Sequence, residues 1–174
     1  MSKYVAFLRG INVGGNKKVP MEDLRKTFES LGFTNVKTLL NTGNVVFEGE
    51  KTNAETVEQE LEKHFGFPIS VIIRTIYDIK SLVDSNPFDG IEVTEQTRLY
   101  ITFLKEKNKS KLKIPYESPE LDFKILKVTE GEVISVLTLF ENGQSGKGMD
   151  ILEKEFGKNV TTRNWNTVVK SLNV

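Results

Sequence analysis

The chain has 174 residues, enough to bury a stable core as one compact domain or as two small packed subdomains. Its 24 basic and 24 acidic side chains cancel, so no overall electric field favours nucleic acid or a membrane surface. Cysteine is absent, which excludes disulfides, thiolate metal ligands and cysteine nucleophiles and fits a reducing compartment.

The chain starts with a predicted strand. Residues 4–8 are apolar on both faces, as in a central strand that helices cover on one side. No signal-peptide pattern precedes them, and no apolar run reaches the about 18 residues that span a bilayer. We therefore expect a cytoplasmic protein with no membrane partner.

A helix and a hairpin are predicted next. The helix has Pro20 at its first position and stops at Gly32, because proline suits a helix start and glycine adopts the left-handed stop. Residues 36–40 and 45–47 are rich in branched and aromatic side chains, and the turn residues 41–44 separate them. This pattern predicts a β-hairpin.

A second helix and a fourth strand complete the first half. Thr52 and Glu55 form the capping-box signature of a helix start, and residues 69–73 form an apolar strand. The resulting order, β-α-β-β-α-β, predicts a ferredoxin-like unit with two helices on one face of an antiparallel sheet. We assign it to a first subdomain, residues 1–84.

The second half is predicted as a degenerate, rearranged α+β subdomain, residues 85–174, packed on the first. Its last segment, residues 161–169, is predicted to form a capped terminal helix. The other predicted elements are a short helix (77–83), a strand (98–104), a polar mobile connection with one helical turn (105–119), a hairpin (123–128 with 133–140) and a helix (149–156).

A glycine-rich loop joins the first strand to the first helix. Three glycines within six positions let the backbone turn sharply or let a ligand approach closely, and a strand, a glycine-rich loop and a helix start in series can hold an anion. The glycine spacing does not match the dinucleotide fingerprint, and a purely structural turn is the alternative. The candidate ligand-binding residues here are Arg9, Gly10, Asn12, Gly14, Gly15 and Lys17.

The second glycine-rich loop, residues 143–148, resembles a phosphate-binding loop only superficially. Glu141 stands where that motif has its first glycine, and Gly148 replaces the Ser or Thr that would reach magnesium. A flexible loop is the preferred interpretation, with Ser145 and Lys147 as anion contacts in the alternative.

The stretch 161–167 is polar although it contains the chain's single tryptophan, Trp165. One interpretation is a helix start with Trp165 buried; the other is a cleft lined by Arg163, Asn164 and Asn166. We predict that residues 163–166 meet residues 9–12 where the two halves join, since arginine and asparagine concentrate in both stretches.

No catalytic or metal centre can be assembled from the sequence. His64 is the single histidine and has no cysteine to accompany it, so it is expected to be neither a metal ligand nor part of a triad. No nucleophile or general base can be named, so enzymatic activity is left open and no cofactor is expected. The turn 41–44 is expected at the opposite end of the sheet from the first loop, and therefore outside its site.

Several motifs along the chain resemble the bacterial family known as domain of unknown function 1697. They are residues 8–15 (LRGINVGG), 20–21 (PM), 32–33 (GF), 42–47 (TGNVVF), 86–88 (NPF) and 161–167 (TTRNWNT). Thr42 replaces the usual serine of the family pattern, and Thr162 replaces a small residue. The resemblance implies a ferredoxin-like α+β fold and brings no established activity.

Three functions follow as hypotheses. The leading one is binding of a small anionic, phosphorylated ligand at the first loop. The second is binding of single-stranded nucleic acid, since residues 1–26 carry six cations and two anions, a local charge of 6 − 2 = +4. The aromatic residues argue against this hypothesis, because Tyr4, Phe7 and Phe47 are as suitable for a core as for an RNA-binding sheet. The third is a protein-interaction module, in which the second half or a second copy, as in a homodimer, covers one sheet face.

Overall fold

The computed structural model describes residues 1–174 and shows a mixed α+β fold with two antiparallel sheets, which confirms the predicted fold class. The chain forms two compact units. The first comprises Met1–Asp84 together with Val169–Val174, and the second comprises Ser85–Val168.

The first unit has a four-stranded sheet in the order β2-β3-β1-β4, with every neighbouring pair antiparallel. This order is compatible with the predicted ferredoxin-like arrangement. Its elements are β1 (Ser2–Leu8), α1 (Met21–Ser30), β2 (Thr34–Leu39), β3 (Asn44–Gly49), α2 (Ala54–Phe65), β4 (Val71–Thr75) and α3 (Ile76–Asp84).

Both faces of β1 are buried, as its continuous apolar pattern predicts. Ala6 and Leu8 belong to a core with Leu24 and Phe28 of α1, while Phe7, which alternates with them, is also fully buried. Within the first unit, α3 contacts β1 and the short 3-10 helix Ser171–Asn173.

The second unit has a five-stranded sheet in the order β6-β7-β8-β5-β9. Leu152 of the helix α4 packs in its core against Phe123 and Leu137 from the sheet. The elements are β5 (Thr97–Leu104), β6 (Tyr116–Glu117), β7 (Phe123–Val128), β8 (Glu132–Thr138), α4 (Asp150–Phe156) and β9 (Val160–Asn164); α5 (Trp165–Lys170) follows β9.

Three local predictions were wrong. Residues 160–164 form strand β9 rather than a helix start, because the branched side chains of residues 160–162 suit the pairing with β5. The N-cap of α2 is Asn53 rather than Thr52, and its side chain accepts a hydrogen bond from the Thr56 N–H over 2.8 Å. The connection 105–119 contains strand β6 and no helical turn.

The longest helix, α2, has 12 residues, and no helix is both long and apolar enough to cross a bilayer.

Candidate functional site

The loop after β1 is a small hairpin. Val13 and Asn16 form an antiparallel bridge, and the Asn16 N–H donates to the Val13 carbonyl over 3.1 Å. Gly14 and Gly15 between them have φ of 61° and 77°, and positive φ at both central residues is what a type I′ turn requires. The paired glycines are therefore explained by the turn. We call residues 12–17 the glycine hairpin.

Asn12 fixes the base of the glycine hairpin. Its Nδ2 donates to the carbonyl oxygens of Val19 and Asn41, each over 2.9 Å, and its Oδ1 accepts from the Val19 N–H over 2.8 Å. Its own φ is 56°, a conformation that asparagine tolerates better than most residues. Both amide hydrogens are thus used within the chain, so Asn12 shapes the loop rather than donating them to a ligand.

The turn between β2 and β3 lies beside this loop, and the expectation that the two occupy opposite ends of the sheet was wrong. Strand β1 runs antiparallel to β3 with Phe7 opposite Asn44, so the end of β1 meets the start of β3. The Leu8 N–H donates to the Gly43 carbonyl over 2.8 Å. A Cβ on Gly43 would lie 2.9 Å from the Ile11 Cδ1 and from the Leu8 Cβ, which is why glycine is needed there.

The cations of the loop differ in exposure. Lys17 and Lys18 are exposed, and Lys17 Nζ lies 3.5 Å from the Pro68 carbonyl oxygen. Arg9 is half-buried, and its main-chain N–H donates to the Ser70 carbonyl over 2.9 Å. The start of β4 and the residues before it therefore also border this loop.

The acidic start of α1 is partly neutralised. Arg25 pairs with both Glu22 and Glu29, and its hydrogen bond to the Glu22 carboxylate lowers the pKa of Glu22. Glu22 therefore repels an anion at the glycine hairpin less than its position in the first helical turn suggests, and Asp23 is the other acidic residue of that turn.

The glycine hairpin contains four of the predicted site residues, namely Asn12, Gly14, Gly15 and Lys17. A fifth, Gly10, has φ of 70° and lies where the chain leaves β1. Sequence reasoning missed the contribution of Asn41 and Gly43. The antiparallel order of β1 and β3, already implied by the predicted fold, was the signal that could have placed that turn correctly.

The other predicted site residues belong to the second unit. Arg163 on β9 is only 8% exposed, and its guanidinium donates to the Thr161 hydroxyl and the Thr162 carbonyl. Burial lowers the pKa of Arg163 to about 10. Asn164 and Asn166 are exposed. Their participation in ligand binding, and the meeting of residues 163–166 with residues 9–12, stay predictions.

Trp165 opens α5 and is half-buried. Its ring meets the ring of Phe88 edge to face with centroids 5.2 Å apart. The tryptophan thus has a packing partner within the second unit.

The second glycine-rich loop packs on a buried carboxylate. The Gly148 N–H donates to Asp122 Oδ2 over 3.3 Å, and the Ser118 hydroxyl donates to Asp122 Oδ1 over 2.7 Å. A Cβ on Gly146 would lie 2.6 Å from Asp122 Oδ2. The glycines of this loop therefore serve close packing, and an acidic neighbour makes the loop a poor place for an anion.

Two of the three aromatic side chains considered for nucleic-acid binding lie in the interior, and the third, Tyr4, is half-buried. Phe7 and Phe47 are fully buried, and Tyr4 stacks on Phe47 with ring centroids 5.5 Å apart. His64 is exposed and meets the Phe65 ring edge to face. No group of three or more histidine, aspartate or glutamate side chains is placed to hold a metal ion.

Comparison with known proteins places the chain in a family. No curated protein matches it significantly. A solved structure, that of the conserved bacterial protein SP0830 from Streptococcus pneumoniae, superposes with a TM-score of 0.69 at 24% identity over 99% of this chain and 97% of the other, a likeness of fold. The family described as "Protein of unknown function (DUF1697)" matches residues 1–133, so the chain belongs to the DUF1697 family.

Proposed function

We propose that the protein binds a small anionic, phosphorylated ligand at the glycine hairpin. The observation that carries the proposal is the hairpin itself, in which a glycine turn and the exposed Lys17 lie on one element that Asn12 holds in place. A preformed loop loses little conformational entropy when a ligand binds.

The local charge supports an anion rather than a cation. Lys17 and Lys18 are exposed beside the hairpin turn, and Glu22 is paired with Arg25. Exposed cations attract a phosphate dianion over about 8–10 Å at physiological salt. Arg9, half-buried at the root of the loop, adds a further positive charge.

The backbone supports close approach. A Cβ built on Gly14 or Gly15 meets no heavy atom within 4 Å, so the space beside the turn is open. Glycine presents no side chain of its own, and a ligand can therefore lie directly against the main chain.

The absence of cysteine supports a cytoplasmic setting, where phosphorylated metabolites are abundant.

Isothermal titration calorimetry with pyrophosphate, ribose 5-phosphate and a mononucleotide tests the proposal. The double variant Lys17→Ala/Lys18→Ala should bind about tenfold more weakly than the wild type, since two charge contacts worth about 0.7 kcal/mol each are lost. The variant Lys111→Ala/Lys113→Ala removes two exposed lysines of the second unit and should bind normally.

Absence of binding by all three probes at millimolar concentration would refute the proposal. Equal losses in the two double variants would show that only net charge matters. Tight, salt-sensitive binding of single-stranded RNA in place of the small probes would favour the nucleic-acid alternative instead.

A further inference from the structure

Leu40, in the turn between β2 and β3, combines a left-handed backbone conformation with a side chain that is exposed to solvent. Its φ is 60°, in the left-handed region that bulky residues rarely adopt. Its side chain is 53% exposed, so little burial offsets that cost. Asparagine or glycine would suit the turn better, so neither the turn nor burial accounts for the leucine side chain.

Leu40 lies next to the glycine hairpin. Its neighbour Asn41 accepts the hydrogen bond from Asn12 Nδ2 over 2.9 Å. On the other side of that bond, Asn12 is followed by Val13, whose side chain is 64% exposed. Two exposed apolar side chains thus directly adjoin the two residues that this hydrogen bond joins.

We propose that the ligand of the glycine hairpin is a phosphate monoester with an apolar substituent, and that Leu40 and Val13 contact this substituent. The inference rests on the proposed function, and it names the class of ligand. Lys17 and Lys18 would attract the phosphate, and the apolar part would cover side chains that are otherwise left in water.

The chain offers a matched control in Leu121. It has the same left-handed backbone, with φ of 58°, and is 69% exposed, but it belongs to the second unit, whereas the glycine hairpin belongs to the first. Leu40→Asn and Leu121→Asn should relieve the same backbone cost, and each should raise the unfolding midpoint by about 2–4 °C. Only the change at Leu40 should affect the ligand.

The test compares inorganic phosphate with phenyl phosphate by calorimetry at about pH 8, where both are mainly dianions. The wild type should bind phenyl phosphate about tenfold more tightly than phosphate, which corresponds to burial of roughly 50 Å² of apolar surface. Leu40→Asn and, independently, Val13→Ser should each reduce this preference to about threefold, whereas Leu121→Asn should keep it at about tenfold.

The outcomes separate this inference from the proposed function. If neither probe binds the wild type, the anion site itself is wrong and the inference falls with it. If both probes bind equally, or if the preference survives in Leu40→Asn and Val13→Ser, the anion site stands and the apolar contact is refuted. Loss of the preference in the Leu121 variant as well would also refute it.

Discussion

The side-chain amide of Asn12 donates to the main-chain carbonyl of Asn41 over 2.9 Å, which fastens the loop after β1 to the turn between β2 and β3. The same amide group also exchanges two hydrogen bonds with the Val19 main chain. One side chain thus joins three separate stretches of the first unit, and the shape of the glycine hairpin depends on it.

Replacing Asn12 should therefore destabilise the protein well beyond a surface change. Asn12→Ala removes three hydrogen bonds and places alanine at a φ of 56°, and we expect a loss of about 2–3 kcal/mol in the free energy of unfolding. Urea denaturation measures the loss.

Asn12→Gly is the control for the backbone part. Glycine adopts positive φ without strain, so this variant reports the side-chain bonds alone and should lose about 1–2 kcal/mol. If both variants lose less than about 0.5 kcal/mol in the free energy of unfolding, the hydrogen bonds of the Asn12 side chain do not stabilise the fold.

The second prediction concerns two glycines with the same backbone and different surroundings. Gly43 has φ of 85° and no room for a Cβ beside Ile11 and Leu8, whereas Gly32 has φ of 88° and nothing within 4 Å. Gly32→Ala should lower the free energy of unfolding by about 1–2 kcal/mol, because alanine is strained at this positive φ but meets no other atom. Gly43→Ala should cost about 1–3 kcal/mol more because the buried contact is overpacked. Equal losses in thermal unfolding would contradict the tight approach of the turn to the loop.

The third prediction uses two buried serines of the second unit. Ser135 is fully buried, and its hydroxyl has no hydrogen-bond partner. Ser118 is buried too, but its hydroxyl donates to Asp122 and accepts from the Phe123 N–H over 3.0 Å. Ser135→Ala should stabilise the fold by about 1 kcal/mol, and Ser118→Ala should destabilise it by about 1–3 kcal/mol. If both substitutions changed the free energy of unfolding in the same direction, hydrogen bonding would not be what distinguishes the two serines.

Periodicity was a good guide to the fold where one pattern dominated. The run at residues 4–8 is apolar on both faces, and Phe7 and Leu8 are both buried in β1. At residues 160–164, by contrast, the polar threonines and asparagine suggested a helix cap. This segment pairs with β5 as a strand instead, because the branched threonines suit a strand and the neighbouring strand outweighs a local capping preference.

The candidate site was harder to predict, since its shape depends on contacts between distant residues. Asn12 could be picked out from composition, but its bond to Asn41 spans 29 positions. The paired glycines predicted either a sharp turn or close approach of a ligand, and the bridge between Val13 and Asn16 accounts for the left-handed φ that both glycines adopt. Leu40 gave no sequence signal, because an exposed leucine is unusual only once its φ is known.

The last prediction concerns Arg163. Its side chain is 8% exposed, and burial lowers its pKa to about 10, so the guanidinium is still charged at neutral pH. A buried charge must be hydrogen-bonded, and Thr161 and the Thr162 carbonyl accept such bonds. Arg163→Ala removes these bonds and the packing of the long side chain, and we expect a loss of at least about 2 kcal/mol in the free energy of unfolding.

Lys158→Ala, at an exposed position nearby in sequence, should change the free energy of unfolding by less than about 0.5 kcal/mol. Urea denaturation of both variants at pH 7 gives the contrast. Small and equal shifts would show that Arg163 is dispensable for folding, and unchanged phosphate binding in the same variant would remove it from the predicted ligand site as well.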